Sequence, residues 1–175
     1  MSLRRAVALL FVVPLLVACG DDSEPDNEPR DEPSDDAESP SISEEAGGAT
    51  NACSLLTTDE VSIAVGVTVT DGLGGDGPVA TGGFQSTCTW RGVENPSATA
   101  MVTVYTDASA ADSVRQADSA PLPEVGEHAF VGRFASVWAY AGTGSFTAQW
   151  YDFGGSDEEN LPKSTALALL VRDAL

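Results

Sequence analysis

The sequence predicts an α+β domain: an antiparallel sheet with helices packed mainly on one face, held by one disulfide. Three observations predict it. Apolar and polar residues alternate as in half-buried strands, with Ala100, Val102 and Val104 set against Met101, Thr103 and Tyr105. Helix-start signals precede each of two groups of strands and an apolar helix closes the chain, giving the order α-β-β-β, α-β-β-β-α. Finally, Cys53 and Cys88 form an even pair once Cys19 is assigned elsewhere, in a chain that opens with an export signal.

Each element has a local reason. Thr57 followed by Glu60 is a capping box, Leu56 can staple onto Val61, Ala64 and Val65 continue the apolar face, and Gly66 ends the first helix. Val67 to Thr70 reads as a strand start, and the glycine-rich run from Asp71 to Gly83 reads as a flexible loop. Thr87–Trp90 and Thr99–Tyr105 read as strands from their β-branched and aromatic content. Asp107 then caps a short helix reaching about Ala117. Ala129–Val131, Ser136–Ala141 and Ser145–Tyr151 make three further strands, the last two joined by the hairpin signal Gly142-Thr143-Gly144. The final helix places Leu167, Leu170, Val171 and Ala174 on one docking face, with Asp157, Glu158 and Glu159 preceding Pro162 at its start.

Upstream of this domain the chain changes character twice. Residues 1–18 read as a signal peptide, with Arg4 and Arg5 ahead of an apolar run from Ala6 to Val17. That run is too short to span ~30 Å of hydrocarbon. Leu16-Val17-Ala18-Cys19 looks like a bacterial lipobox, in which the Cys19 thiol is alkylated by a diacylglycerol and becomes the new N-terminus. Two or more acyl chains, such as palmitate, give stable anchoring where one does not. The expected location is therefore the outer face of the cytoplasmic membrane. Residues 19–50 then carry twelve acids against the single base Arg30, four prolines and no aromatic. Such a stretch cannot bury enough apolar surface to offset chain entropy and reads as a disordered acidic tether. The folded domain, 51–175, has fifteen acids and five bases. This balance argues against nucleic acid as a partner, because phosphate binding draws on Lys and Arg.

Asn51-Ala52-Cys53-Ser54-Leu55-Leu56-Thr57, Glu60-Val61 and Cys88-Thr89-Trp90 together resemble a family of small actinobacterial lipoproteins of unknown function, in which Cys-x-Leu-Leu-Thr precedes Cys-x-Trp. Gly126-Glu127-His128-Ala129-Phe130 is similar to the same family's second motif. The resemblance covers most of Asn51 to Tyr151. It implies a Cys53–Cys88 pair, one α+β domain and a cell-surface lipoprotein, and it brings no activity.

Little else in the chain points to catalysis. The lone histidine, His128, lacks a G-x-S-x-G nucleophile to serve. Zinc is disfavoured by the scarcity of N and S ligands, and no cofactor is implied. Gly72-Leu73-Gly74-Gly75-Asp76-Gly77 matches a dinucleotide fingerprint only in letters, since Pro78, Gly82 and Gly83 follow where a helix is required. Asp152-Phe153-Gly154 is a kinase triplet without the other kinase elements. The aromatic residues carry more. Trp138, Tyr140 and Trp150, on successive strands, form a candidate binding surface for a peptide, a glycan or an envelope protein. The expectation is a non-enzymatic lipoprotein that binds a ligand or partner. The alternatives are an envelope-polymer hydrolase using His128 with Glu127 or Asp152, and a passive structural lipoprotein.

Overall fold

The computed structural model describes residues 49–80 and 82–175; the expected signal peptide, Cys19 and nearly all of the tether lie outside them. A six-stranded antiparallel sheet runs in the order β1-β2-β3-β6-β5-β4. Its strands are β1 (Leu73–Pro78), β2 (Phe84–Arg91), β3 (Thr99–Tyr105), β4 (Phe130–Val131), β5 (Val137–Ala141) and β6 (Gly144–Tyr151). Three α-helices accompany it: α1 (Thr58–Val65), α2 (Ser109–Val114) and α3 (Asp157–Ala174). Helices α1 and α3 cover one face of the sheet, and the short α2 sits on the other.

The register sorts side chains into two faces. Cys88, Val102, Ala148 and Val137 form one cross-strand row, flanked by Trp90, Ala100 and Trp150 and by Val104, Phe146 and Ala139. All are buried and pack with Val61 and Val65 of α1 and with Leu167, Ala168 and Val171 of α3. Each fully buried Val, Leu or Phe among them contributes ~1.5–3 kcal/mol, so this face is the core. Ser164 Oγ accepts the Trp150 N–H at 2.8 Å, two residues beyond the last residue of β6 that pairs with β5. Leu170 is only half-buried: with Leu169 it flanks the exposed Ile63 of α1, and Ala174 is exposed.

Both long helices start on complete capping boxes. The Thr57 N–H donates to Glu60 Oε2 at 2.8 Å while Thr57 Oγ1 accepts from the Glu60 N–H; Ser156 and Glu159 repeat the arrangement at 2.9 Å. The second box sets the start of α3 before Asp157, so Pro162 lies inside the helix. The carbonyl that Pro162 leaves without an N–H belongs to Glu158, which is exposed to water. Asp107 Oδ1 accepts the Ser109 N–H at 2.6 Å, but α2 ends at Val114 because Arg115 turns extended.

The largest difference from the sequence reading is the glycine-rich run. Val67–Thr70 makes only an isolated bridge, Val69 to Gly92, and the strand forms later, at Leu73–Pro78, within the segment read as a flexible loop. The Cys53–Cys88 disulfide explains why. It ties the short 3-10 turn Ala52–Ser54 to β2, with the Ala52 N–H held by Ser86 Oγ at 2.9 Å. The first strand then runs directly over the bridge. A Cβ on Gly72 would lie 2.6 Å from Cys88 Sγ, and one on Gly74 would lie 3.2 Å from Cys53 Sγ. Here glycine permits close backbone approach rather than mobility.

Candidate functional site

The face of the sheet opposite the core holds the site. The two-residue turn Gly142-Thr143 pairs Ala141 with Gly144, so even-numbered positions of β5 share a face with odd-numbered positions of β6. Trp138 therefore stands beside Thr147 and Tyr140 beside Ser145, with Gln149 farther along the same face. Trp150 points the other way, into the core, where it is 1% exposed beneath Lys163 of α3. The candidate surface is thus divided: Trp138 and Tyr140 lie on the open face, and Trp150 is not part of it. Trp150 lines a separate 330 Å³ pocket on the far side, with Asp152 and Lys163.

Between α2 and the sheet lies a groove of 450 Å³ lined by Met101, Tyr105, Arg115, Phe134, Trp138 and Gln149 among others. Its floor is an aromatic stack. Tyr105 lies 5.6 Å from Trp138 with nearly parallel rings, and Trp138 continues onto the buried Phe130 at 6.5 Å. Arg115 sits over the Phe130 ring at 5.1 Å, a cation–π contact that fixes the guanidinium at the groove wall. Burial holds the Tyr105 phenol above its usual range, partly offset by Thr103. The Tyr140 hydroxyl donates to Asp112 Oδ1 at 2.5 Å, and burial followed by that carboxylate raises its pKa as well.

The far wall is a turn in uncommon geometry. Phe134 and Ala135 both have φ of 54°, in the left-handed region that non-glycine residues seldom occupy. The turn is held by a Gly132 N–H bond to the Ser136 carbonyl at 2.8 Å and by the Ser136 hydroxyl donating to the Arg133 carbonyl at 2.8 Å. Trp138 Nε1 in turn donates to Ser136 Oγ at 3.2 Å, and Gln149 Nε2 to the Phe134 carbonyl at 2.9 Å. Gly132 has no Cβ because the Trp138 ring occupies that space, 2.8 Å from where it would stand. The result presents the Phe134 ring to solvent, 61% exposed, edge-on to Tyr151.

On the groove floor Thr147 is 4% exposed, and its hydroxyl has no hydrogen-bond partner among the described residues. Its row neighbour Thr103 is bonded to Thr87 at 3.0 Å. A larger trough of 560 Å³ lies between Thr50, the Gly142 hairpin and Leu175, but the buried hydroxyl on its wall, Ser145, is already bonded to the Asp107 carbonyl.

The residues considered for catalysis are not assembled. His128 is exposed, meets Tyr140 edge-on at 6.3 Å, and makes no hydrogen bond or ion pair with Glu127 or Asp152 among the described residues. Asp152 instead bonds Asn95 at 3.2 Å and the Gly154 N–H at 3.1 Å. Among the described residues no three His, Cys, Asp or Glu side chains are grouped as a metal site requires, and no helix is long and apolar enough to cross a membrane. No family model, curated protein or solved structure matches the chain. Arg115, Arg133 and Phe134, which the sequence reading passed over, belong to the groove.

Proposed function

We propose that this chain is a lipid-anchored, extracytoplasmic binding protein whose ligand or envelope partner is taken up on the open face of the sheet. The anchor rests on Leu16-Val17-Ala18-Cys19 and the apolar run before it. A disulfide between Cys53 and Cys88 suits an oxidising compartment. The observation that carries the binding reading is the 450 Å³ groove over the Tyr105–Trp138 stack, on the face that neither long helix covers. Its volume falls in the ~300–1,000 Å³ range of small-ligand sites, which combine apolar walls with a few placed polar groups.

Trp90 and Trp150 are buried, which leaves half-buried Trp138 as the tryptophan whose emission reports the groove. Aryl carboxylates, N-acetylhexosamine oligomers and short peptides are titrated separately against the full chain. At least one class is expected to change the emission saturably, and Trp138→Phe should abolish the change. A chain that responds to none of them refutes the groove as the binding site. The anchor is tested by Cys19→Ala, which should release the protein from the membrane fraction or leave it uncleaved. A Cys19→Ala protein that still matures and stays membrane-bound refutes the lipobox.

A further inference from the structure

We infer that the groove ligand is an anion: a carboxylate carried on a flat apolar body about one ring in size. This rests on the binding reading above and adds its chemical class. The described domain is strongly acidic, yet the groove reverses that charge. Two of the five bases between 51 and 175, Arg115 and Arg133, line it, and none of its lining residues is an acid. The one ion pair among the described residues is Arg172 with Asp173, so both groove guanidiniums lack a carboxylate partner there. Asp112, on α2 just before Arg115, is engaged by the Tyr140 hydroxyl, which Arg115 also approaches. Asp118 lines a neighbouring 200 Å³ hollow that Arg133 borders as well, and neither acid forms an ion pair with these guanidiniums.

Two like charges line one groove that has no acid in its lining, and a bound anion would neutralise them. Guanidinium groups suit a carboxylate because their paired N–H groups match its two oxygens. Arg115 is already oriented by the Phe130 ring, so less side-chain freedom is lost on binding. The Tyr105–Trp138 stack offers a flat floor for the apolar body. The Thr147 hydroxyl, buried on that floor with its hydrogen-bonding capacity unspent, supplies a further polar contact. A buried hydroxyl without a partner is costly, and a ligand oxygen would remove the cost.

The test compares phenylbutyrate with phenylbutyramide, equal in shape and different in charge, by following the Trp138 indole N–H resonance of the full chain. The carboxylate is expected to shift that resonance saturably and the amide to bind at least about tenfold more weakly, since hydrogen bonds to a charged partner exceed neutral ones by that order. Arg133→Gln should weaken carboxylate binding about five- to tenfold and amide binding much less; Arg133 is exposed on a turn, so this variant keeps its fold. Arg115→Gln should act in the same direction. Equal binding of acid and amide, unaffected by Arg133→Gln, overturns the anion assignment while the groove remains a binding site. No shift of the Trp138 resonance with either probe overturns both.

Discussion

Gly72 lies so close to Cys88 that a β-carbon there would stand 2.6 Å from its sulfur and 2.8 Å from Trp90 Nε1. Disulfide, indole and strand backbone thus occupy one packed layer at the sheet edge. Gly72→Ala is expected to destabilise the domain by ~2–3 kcal/mol, the scale of overpacking in a filled core. Gly75→Ala, three residues on with nothing within 4 Å of its Cβ, should be near neutral. Equal midpoints in urea for the two variants would show that the layer yields without cost.

Loss of the bridge itself should be felt along the same edge. Its loop spans 35 residues, and the chain-entropy model assigns such a closure ~3–4 kcal/mol. Cys53→Ser with Cys88→Ser should lower stability by about that amount. It should also expose Leu73–Pro78 to proteases, because the strand packs on the sulfurs it loses. Mass spectrometry of the unreduced protein checks the premise: two alkylatable thiols at Cys53 and Cys88 would contradict it.

The two capping boxes give acid sensitivity a defined sign. Glu60 and Glu159 are each held below the usual carboxylate range, first by a backbone N–H, of Thr57 and Ser156 respectively, and then by the hydroxyl of the same residue. A folded-state pKa below the unfolded value contributes stability above the unfolded pKa of ~4.3, and that contribution fades as pH falls through the folded one. Glu60→Gln and Glu159→Gln should therefore lower stability at neutral pH and flatten its decline in the acid range. Parallel stability–pH curves for variant and parent would exclude this coupling.

Phe134 should display a conflict between stability and binding. Its φ of 54° is poorly suited to a bulky side chain, whereas asparagine tolerates it. Phe134→Asn is expected to gain ~0.5–1 kcal/mol and to weaken ligand binding by removing an aromatic wall. A variant that is less stable would show that the Phe134–Tyr151 contact outweighs the backbone term.

What was legible in the sequence was mostly local. Thr57 with Glu60 specifies a helix start within four residues, and β3 falls where its alternation places it, because one buried face forces the pattern. The first strand was hidden for the opposite reason. Leu73-Gly74-Gly75-Asp76-Gly77-Pro78 carries no side-chain pattern, and backbone pairing with β2 over a disulfide distant in sequence defines it. The groove was partly visible through Trp138, whereas Tyr140, on the same face, lines the neighbouring 560 Å³ trough. The misplacement of Trp150 traces to the hairpin, since counting a two-residue turn fixes which parities share a face. Arg115 and Arg133 gave no signal, because their meeting depends on α2 crossing to the open side of the sheet.

The margins of the sheet bear on how copies of this protein behave when crowded together. A bare strand edge invites a neighbouring chain to extend the ladder, and a protein concentrated on a surface meets its neighbours edge-on far more often than one in dilute solution. At one margin, β1 offers a short run of glycines interrupted by Asp76 and closed by Pro78, which has no N–H to donate. At the other, β4 is two residues long, and the Val131 N–H is already bonded to the Ala120 carbonyl at 2.9 Å. Both margins are short and interrupted, so high local density should favour separate domains over edge-to-edge ladders.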